Sequence, residues 1–428
     1  TFKAPLTGEG TLALSDDTII DLSYIAETVQ LAPAAGGTIR TLPALTKKVP
    51  LVAPASGTVT IELLTTDGIP AGSAFTLFTG TGLTVFDAER FAVTVPGQSD
   101  VRGTVSITGD GSFIFTVTES DTPAATLLWR PTSAEEAGSW STEVTAWIDA
   151  ATSGRTPFLG FSNATFDGTE SVHSDTVAVD ADVNVGTLTV TGEQNYTLTG
   201  TGRLLGKGKI TKDGSGTLTL DGPSLTDQTE IEIKGGTVVL GTNLTANALG
   251  TAGTNMTITI TDGGQLDLNY PYDTGADATR STFTANKTFR IEGAGPDGEG
   301  AIVNRGGGTS WCCQLGRVEL TGDTTFGGIS RVEFRTGTVA SITNRPYLKG
   351  PRYMVTSKVV PVGGSYGLFF SSADVDVATL FVDENAAVGC EGTPYFNVPG
   401  GIVLGDGGHF DAYGNTVTAS EGTAFMTV

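Results

Sequence analysis

The stretch from Gly202 to Gly241 constrains the fold more than any other part of the chain. It reads GRLLGKGKITKDGSGTLTLDGPSLTDQTEIEIKGGTVVLG, and its apolar residues alternate with Thr, Glu and Lys. Alternation at period two is typical of strands with one buried face. Strands this short, separated by Gly, Asp and Pro, favour a solenoid in which each turn of chain stacks on the previous one.

The same stretch resembles the autotransporter-associated β-strand repeat, whose core is a Lys-x-Gly-x-Gly-x-Leu-x-Leu-x-Gly line followed by a second strand. The residues that match are Lys212, Gly214, Gly216, Leu218, Leu220 and Gly222, then Gly235, Gly236, Thr237 and Leu240. Residues 223–227 read PSLTD where the family usually carries Asn-x-Tyr-x-Gly, which predicts a different turn. The resemblance implies a secreted, β-helical passenger-type protein, and it names no enzyme.

Composition supports a β protein with many tight turns. The 428 residues include 59 Gly and 18 Pro, 16% are charged, and the 39% that are hydrophobic can fill a core. Only Ser133–Thr145 has a helical pattern, and it is too short and too lightly apolar to predict a helix. We therefore expect an all-β chain: a right-handed parallel β-helix or β-solenoid, preceded by an N-terminal β-sandwich-like or capping region.

Changes in strand pattern and composition divide the chain into three parts. Residues 1–126 form an N-terminal β region, with five clean strand patterns between Gly57 and Val117 that are spaced as in a sandwich or a coiled sheet. Residues 127–170 form a Trp-rich cap or connector, and the line over residues 138–168 also resembles the opening of such repeat units. Residues 171–428 form the solenoid, with roughly ten to twelve rungs of about 20–25 residues each.

The acidic balance of the chain limits its partners. A net charge of −22 and a pI near 4.3 make nucleic-acid binding unfavourable. The charge serves either solubility in salt or the binding of a divalent cation such as Ca²⁺ between carboxylate-bearing turns. No apolar run is long enough to span a membrane, and the first residue is Thr, which predicts a removed leader and an extracellular or cell-surface location.

Three tryptophans lie close together in sequence: Trp129, Trp140 and Trp147. Such a group can cap the apolar end of a solenoid, which needs its terminal rung shielded. Alternatively, the rings can stack on the sugar rings of extracellular glycans.

Pairs of carboxylates on one strand face are the best candidates for a calcium-binding or glycoside-cleaving site. Asp180 and Asp182, like Asp374 and Asp376, are two residues apart in strand-like runs, which puts each pair about 7 Å apart on one face. They can pair with basic residues of the next rung, bind calcium, or cleave glycosides. The two histidines, His173 and His409, match no catalytic motif and are predicted to be solvated turn residues.

Cys312, Cys313 and Cys390 are the only cysteines. An odd number leaves at least one thiol unpaired within the chain or pairs it between chains. In a strand, Cys312 and Cys313 point to opposite faces, so one of them could reach Cys390; buried reduced thiols are the alternative.

Basic residues gather between positions 331 and 352, against the acidic trend elsewhere. This patch could dock the acidic face of another copy in a head-to-tail assembly, and its members are Arg331, Arg335, Arg345, Lys349 and Arg352. We expect a non-enzymatic, cofactor-free structural protein that self-assembles into an extracellular filament, sheath or surface layer. A carbohydrate-binding adhesin and, less well supported, a polysaccharide lyase or hydrolase are the alternatives.

Overall fold

The computed structural model of the chain is built almost entirely of strands. It describes residues 10–14, 19–22, 25–26, 29–42, 47–65, 68–120, 122, 125–206, 208–226, 230–241, 249, 256–269, 287–306, 314–335, 345–361, 367–412, 418–419 and 425–427. The regular elements in these ranges confirm the predicted all-β class and include a large, mostly parallel sheet.

Ten strands and one short helix make up the N-terminal part. The strands are β1 (Gly10–Leu14), β2 (Ile19–Asp21), β3 (Val29–Pro33), β4 (Thr38–Thr41), β5 (Lys47–Lys48), β6 (Val59–Leu63), β7 (Ala74–Thr79), β8 (Phe91–Thr94), β9 (Arg102–Ile107) and β10 (Phe113–Glu119), with a 3₁₀ helix at Val85–Arg90.

The N-terminal strands combine an antiparallel group with a parallel sheet, so only some of them pair as in a sandwich. The five runs between Gly57 and Val117 are indeed strands, but only β7, β9 and β10 pair in antiparallel fashion. The strands β2, β4, β6 and β8 form a parallel sheet, in which Ile20, Ile39 and Ile61 are aligned and buried. The chain leaves this sheet after each strand and returns in the same direction, which produces parallel rather than antiparallel neighbours.

The remainder begins with strand β11 (Thr126–Trp129) and a single helical turn, α1 (Ala134–Ala137). The strands that follow are β12 (Trp147–Asp149), β13 (Arg155–Thr156), β14 (Asn163–Phe166), β15 (Thr176–Ala178), β16 (Val183–Asn184), β17 (Leu188–Val190), β18 (Tyr196–Thr199), β19 (Arg203–Leu205), β20 (Lys209–Lys212), β21 (Thr217–Asp221), β22 (Ser224–Thr226), β23 (Glu230–Ile233), β24 (Gly236–Leu240), β25 (Thr257–Ile260), β26 (Gly264–Asp267), β27 (Thr288–Gly293), β28 (Ile302–Asn304), β29 (Gln314–Leu315), β30 (Arg317–Gly328), β31 (Val332–Phe334), β32 (Tyr347–Val359), β33 (Leu368–Ser371), β34 (Asp374–Val382), β35 (Ala387–Glu391), β36 (Tyr395–Asn397), β37 (Ile402–Leu404), β38 (His409–Asp411), β39 (Thr418–Ala419) and β40 (Phe425–Thr427).

Apart from β12 and β13, which pair in antiparallel fashion beside β11, these strands pair in parallel along three columns. Column one contains β11, β14, β17, β20, β23, β25, β27, the first parts of β30, β32 and β34, then β36 and β39. Column two contains β15, β18, β21, β24, β26, β28, the last parts of β30, β32 and β34, then β37 and β40. Column three is described in two pieces, β16–β19–β22 and β29–β31–β33–β35–β38. We call one passage through the three columns a coil.

The register explains why the sequence repeats as it does. Between residues 176 and 240 each paired residue lies 20 to 22 positions after its partner, as in Leu218 and Val238. Alternate residues of each strand point inward, so Ile210, Ile231 and Ile258 stack on one another and are buried. Burying one such side chain stabilises the fold by about 1.5–3 kcal/mol.

Glycines allow the corners of neighbouring coils to approach closely. Gly214 has φ +75°, and a Cβ there would lie 2.5 Å from the backbone nitrogen of Gly192 in the preceding coil. Such contacts explain why Gly recurs at the ends of the alternating runs.

The described residues form two apolar cores. One contains residues from Leu127 to Ile402, and the other contains residues from Ile20 to Val117 together with Phe161. The first coil of the columns is covered by the segment that follows β11: Trp140 donates its backbone N–H to Ala178 O, and β12 pairs with β11.

Candidate functional sites

The three tryptophans predicted from sequence lie in the core. Trp129, Trp140 and Trp147 are at most 1% exposed, and their rings contact one another and Phe158 and Phe166 at centroid distances of 4.9–5.5 Å. The expectation that they offer a sugar-stacking surface is therefore wrong, because the ring faces are packed against other side chains. The buried rings instead cover the apolar start of the columns.

The paired carboxylates contact residues of neighbouring coils. Asp182 forms an ion pair with Arg203 at 2.6 Å, and Asp374 forms one with Arg345 at 2.8 Å. Asp376 accepts a hydrogen bond from Asn397 Nδ2 at 2.8 Å, whereas Asp180 is exposed. These contacts use oxygens that a calcium ion would need, and no group of three or more His, Cys, Asp or Glu side chains able to hold a metal ion occurs among the described residues.

The predicted basic patch is not one continuous docking surface. The guanidinium groups of Arg331 and Arg335 lie beside the fully buried Glu333, and Arg335 also pairs with Glu391. Both arginine side chains are only 11–15% exposed, which corrects the expectation that they face a partner. Arg345 is engaged with Asp374, as described above. Lys349 lies over the ring of Tyr347 at 4.5 Å, and Arg352 is exposed on β32.

One of the three cysteines is described. Cys390 is a buried free thiol in β35, and burial raises its pKa to about 11. Cys312 and Cys313 lie outside the described residues, so their pairing stays a prediction.

A histidine-centred cluster lies in the turn between β14 and β15. The Nδ1 atom of His173 is 2.6 Å from Glu170 Oε1, and its Nε2 atom is 3.0 Å from Asp175 Oδ1. The hydroxyl of Tyr196 donates to the same Glu170 oxygen at 2.5 Å, and the Tyr196 and His173 rings meet edge to face. The other oxygen, Glu170 Oε2, is buried and has no hydrogen-bond partner among the described residues.

This cluster corrects the expectation that His173 is a solvated turn residue. Its side chain is 24% exposed, and that of Glu170 is 1% exposed. Burial lowers the pKa of His173, but the hydrogen bonds and charges of Glu170 and Asp175 outweigh burial and raise that pKa above its usual value. In the sequence, the spacing Glu-x-x-His-x-Asp could have indicated that His173 lies between two carboxylates. His409, by contrast, is exposed at the start of β38.

Lys212, the lysine of the resembling repeat, points into the core. Its ammonium donates to the carbonyl oxygens of Asp213 and Gly214 at 2.9 Å and of Gly235 at 3.2 Å. Burial lowers the pKa of Lys212 to about 8. The buried ammonium therefore links two neighbouring coils through hydrogen bonds to carbonyl oxygens at their corners.

A second polar cluster lies on the outer side of column two, beneath residues 294–300. Gln265 Nε2 donates to Gly300 O at 2.9 Å, and Arg305 donates to Gln265 Oε1 at 2.7 Å and to Asp297 at 2.5 Å. Burial raises the pKa of the nearby Asp267, although backbone N–H donors oppose the shift. These contacts hold the Gly-rich segment against the strands.

The final described coil contributes one strand to each column. These strands, β38, β39 and β40, pair with β35, β36 and β37, and with no other described strand. At the other end, β1 pairs with β3 and β2 pairs with β4, again on one side only within the described ranges. Among the described residues, each end therefore presents parallel-paired strands with one free edge.

Comparison with models of known protein families, with curated proteins and with solved structures gave no match. No helix among the described residues has the length and apolar character needed to cross a membrane.

Proposed function

We propose that the chain is a secreted structural protein whose copies join head to tail into an extracellular filament, sheath or surface layer. The observation that carries this proposal is that, within the described ranges, β1 and β2 at one end and β38, β39 and β40 at the other pair on one side only. Strand edges recruit further strands. A contact between two different ends is heterologous, and when its symmetry does not close it produces a fibre.

The proposal includes a right-handed parallel β-helix as the architecture of residues 171–428. Three columns of parallel strands with a near-constant register support it, as does the inward stacking of alternate residues. Right-handedness follows from the strong preference of parallel crossover connections. Parallel pairing also occurs among the N-terminal strands, with Gly10 aligned to Val29 and Ile19 to Thr38.

Ion pairs between adjacent coils also support a structural role. The ion pairs Asp182–Arg203, Arg290–Glu319 and Arg345–Asp374 each join side chains of adjacent coils. Cross-strand ion pairs of this kind stabilise the stacking of one coil on the next. The resemblance to the autotransporter-associated repeat adds the expectation of an extracellular or cell-surface location.

Blocking one end tests the proposal. The exposed Ala13 lies in β1, and lysine on an edge strand opposes the addition of another strand. We expect light scattering by the unmodified chain to rise with concentration, and Ala13→Lys to abolish that rise. The control, Ala151→Lys, makes the same change in an exposed turn and should assemble normally. Equal behaviour of both variants would contradict the proposed end-to-end contact.

A further inference from the structure

Both ring nitrogens of His173 face carboxylate oxygens in the turn of residues 167–175, between β14 and β15. The Nδ1 atom lies 2.6 Å from Glu170 Oε1, and the Nε2 atom lies 3.0 Å from Asp175 Oδ1. A neutral imidazole donates from one nitrogen only, and the lone pair on its other nitrogen repels a carboxylate. Only the imidazolium ion donates to both acids, so the geometry of this turn selects the charged ring.

The next coil adds a third group to this arrangement. Tyr196 of β18 meets the His173 ring edge to face at 5.1 Å and donates its hydroxyl to Glu170 Oε1. The Glu170 side chain is only 1% exposed, and within the described ranges His173 is the one basic side chain at ion-pair distance from it. A buried carboxylate needs a compensating charge. The charge of His173 therefore stabilises the buried end of the turn against β18.

The turn also holds the segment that covers the first coil, which we call the covering segment (residues 130–149). At the start of the turn, Asp167 forms a bidentate ion pair with Arg130, with nitrogen–oxygen distances of 2.8 and 2.7 Å. Just after the turn, Ala178 accepts the backbone N–H of Trp140 at 2.9 Å. The turn is thus fastened to the covering segment on both sides of His173.

We propose that His173 is a pH-sensitive latch: its charged ring holds the turn and the covering segment on the first coil, and loss of the proton releases them. Asp175 leaves first, because its side chain is 80% exposed and can turn to water. Glu170 stays buried beside a neutral ring, which weakens its charge-assisted hydrogen bonds. Burial lowers the pKa of His173, but Glu170 and Asp175 outweigh burial and raise it above its usual value. The latch is therefore closed in acid and loosens at alkaline pH.

The release is local. It frees the backbone N–H groups of the turn and of the covering segment, including that of Trp140, while the parallel ladders of the later coils stay paired. The latch acts at the start of the columns and not at the strand edges of the two ends, so it does not depend on assembly.

Hydrogen exchange of the full chain, read by mass spectrometry, tests the latch. With labelling times scaled for the intrinsic pH dependence of exchange, protection of the turn and the covering segment should fall about tenfold from about pH 5.5 to about pH 9. Protection of β25 and β27 should not change. His173→Gln should remove the pH response, because a glutamine amide keeps a donor but does not titrate. His409→Gln, at the exposed start of β38, is the matched control and should keep the response.

Nitrogen-15 labelling of histidine gives a second readout on the unmodified chain, which contains only two histidines. At about pH 7 the His173 ring, assigned by the loss of the other signal in His409→Gln, should carry a proton on both nitrogens. It should lose one of them over the pH range in which protection falls. A His173 ring that is neutral at about pH 7, equal protection at both pH values, or a pH response retained in His173→Gln would each overturn the proposal.

Discussion

The ammonium of Lys212 donates to the carbonyl oxygen of Gly235, 3.2 Å away in the next coil. The side chain is fully buried and aligns with Val190 and Ile233 in the inward stack of column one. A buried lysine costs stability because its charge is desolvated, and the three carbonyl acceptors offset part of that cost.

Substitution of Lys212 by Met should remove a pH dependence of folding. The pKa is lowered to about 8 in the folded chain, against about 10.4 in an unfolded chain. Below pH 8 the lysine is protonated in both the folded and the unfolded chain, so folding bears the full cost of desolvating its charge. Between about pH 8 and 10.4 only the unfolded chain keeps the proton, so the free energy of unfolding rises with pH. Relative to Lys212→Met, the unmodified chain should gain about 2 kcal/mol between pH 7.5 and 9.5 in urea unfolding. Parallel pH responses of the two proteins would contradict this account.

His173 should stabilise the fold in the opposite pH direction. Its pKa is raised in the folded chain, so its contribution is complete below the unfolded pKa of about 6.5 and is lost as pH rises through the folded value. We expect His173→Gln to cost about 1.5 kcal/mol at pH 5.5 and less at pH 9, measured by denaturant unfolding. The matched control is His409→Gln at the exposed start of β38, which should change the free energy of unfolding at pH 5.5 by no more than about 0.5 kcal/mol.

Gly202 should tolerate no side chain. A Cβ at this position would lie 2.3 Å from the carbonyl oxygen of Ala181, a backbone atom in the preceding coil. Gly202→Ala should therefore destabilise the chain by about 3 kcal/mol or more. Gly109→Ala is the control, because a Cβ there meets no atom within 4 Å. Similar thermal unfolding of the two variants would show that the coils are not stacked this closely.

Trp140 should behave as a core residue. Trp140→Ala should cost about 3–5 kcal/mol and remove much of the near-UV circular dichroism of the ring cluster. Trp140→Phe should cost less, since Phe keeps an aromatic contact with Phe158 and Phe166. A stable Trp140→Ala variant would show that the cluster does not hold the first coil.

The sequence revealed the strands better than their pairing. Period-two alternation identified β21, β23 and β24, because inward residues such as Leu218 and Ile231 must be apolar. Nothing local distinguishes the parallel β6–β8 pair from a sandwich pair, since pairing depends on where the chain returns. The local spacing of Glu170, His173 and Asp175 could have indicated the histidine cluster, but the contribution of Tyr196 could not be predicted, because it depends on long-range packing.

Electron microscopy of the purified chain tests the central claim most directly. Negatively stained samples prepared over a hundredfold range of concentration should contain unbranched filaments or layers that lengthen with concentration, because each copy adds to a strand edge of the last. A monodisperse monomer at every concentration, with and without calcium, would contradict head-to-tail assembly.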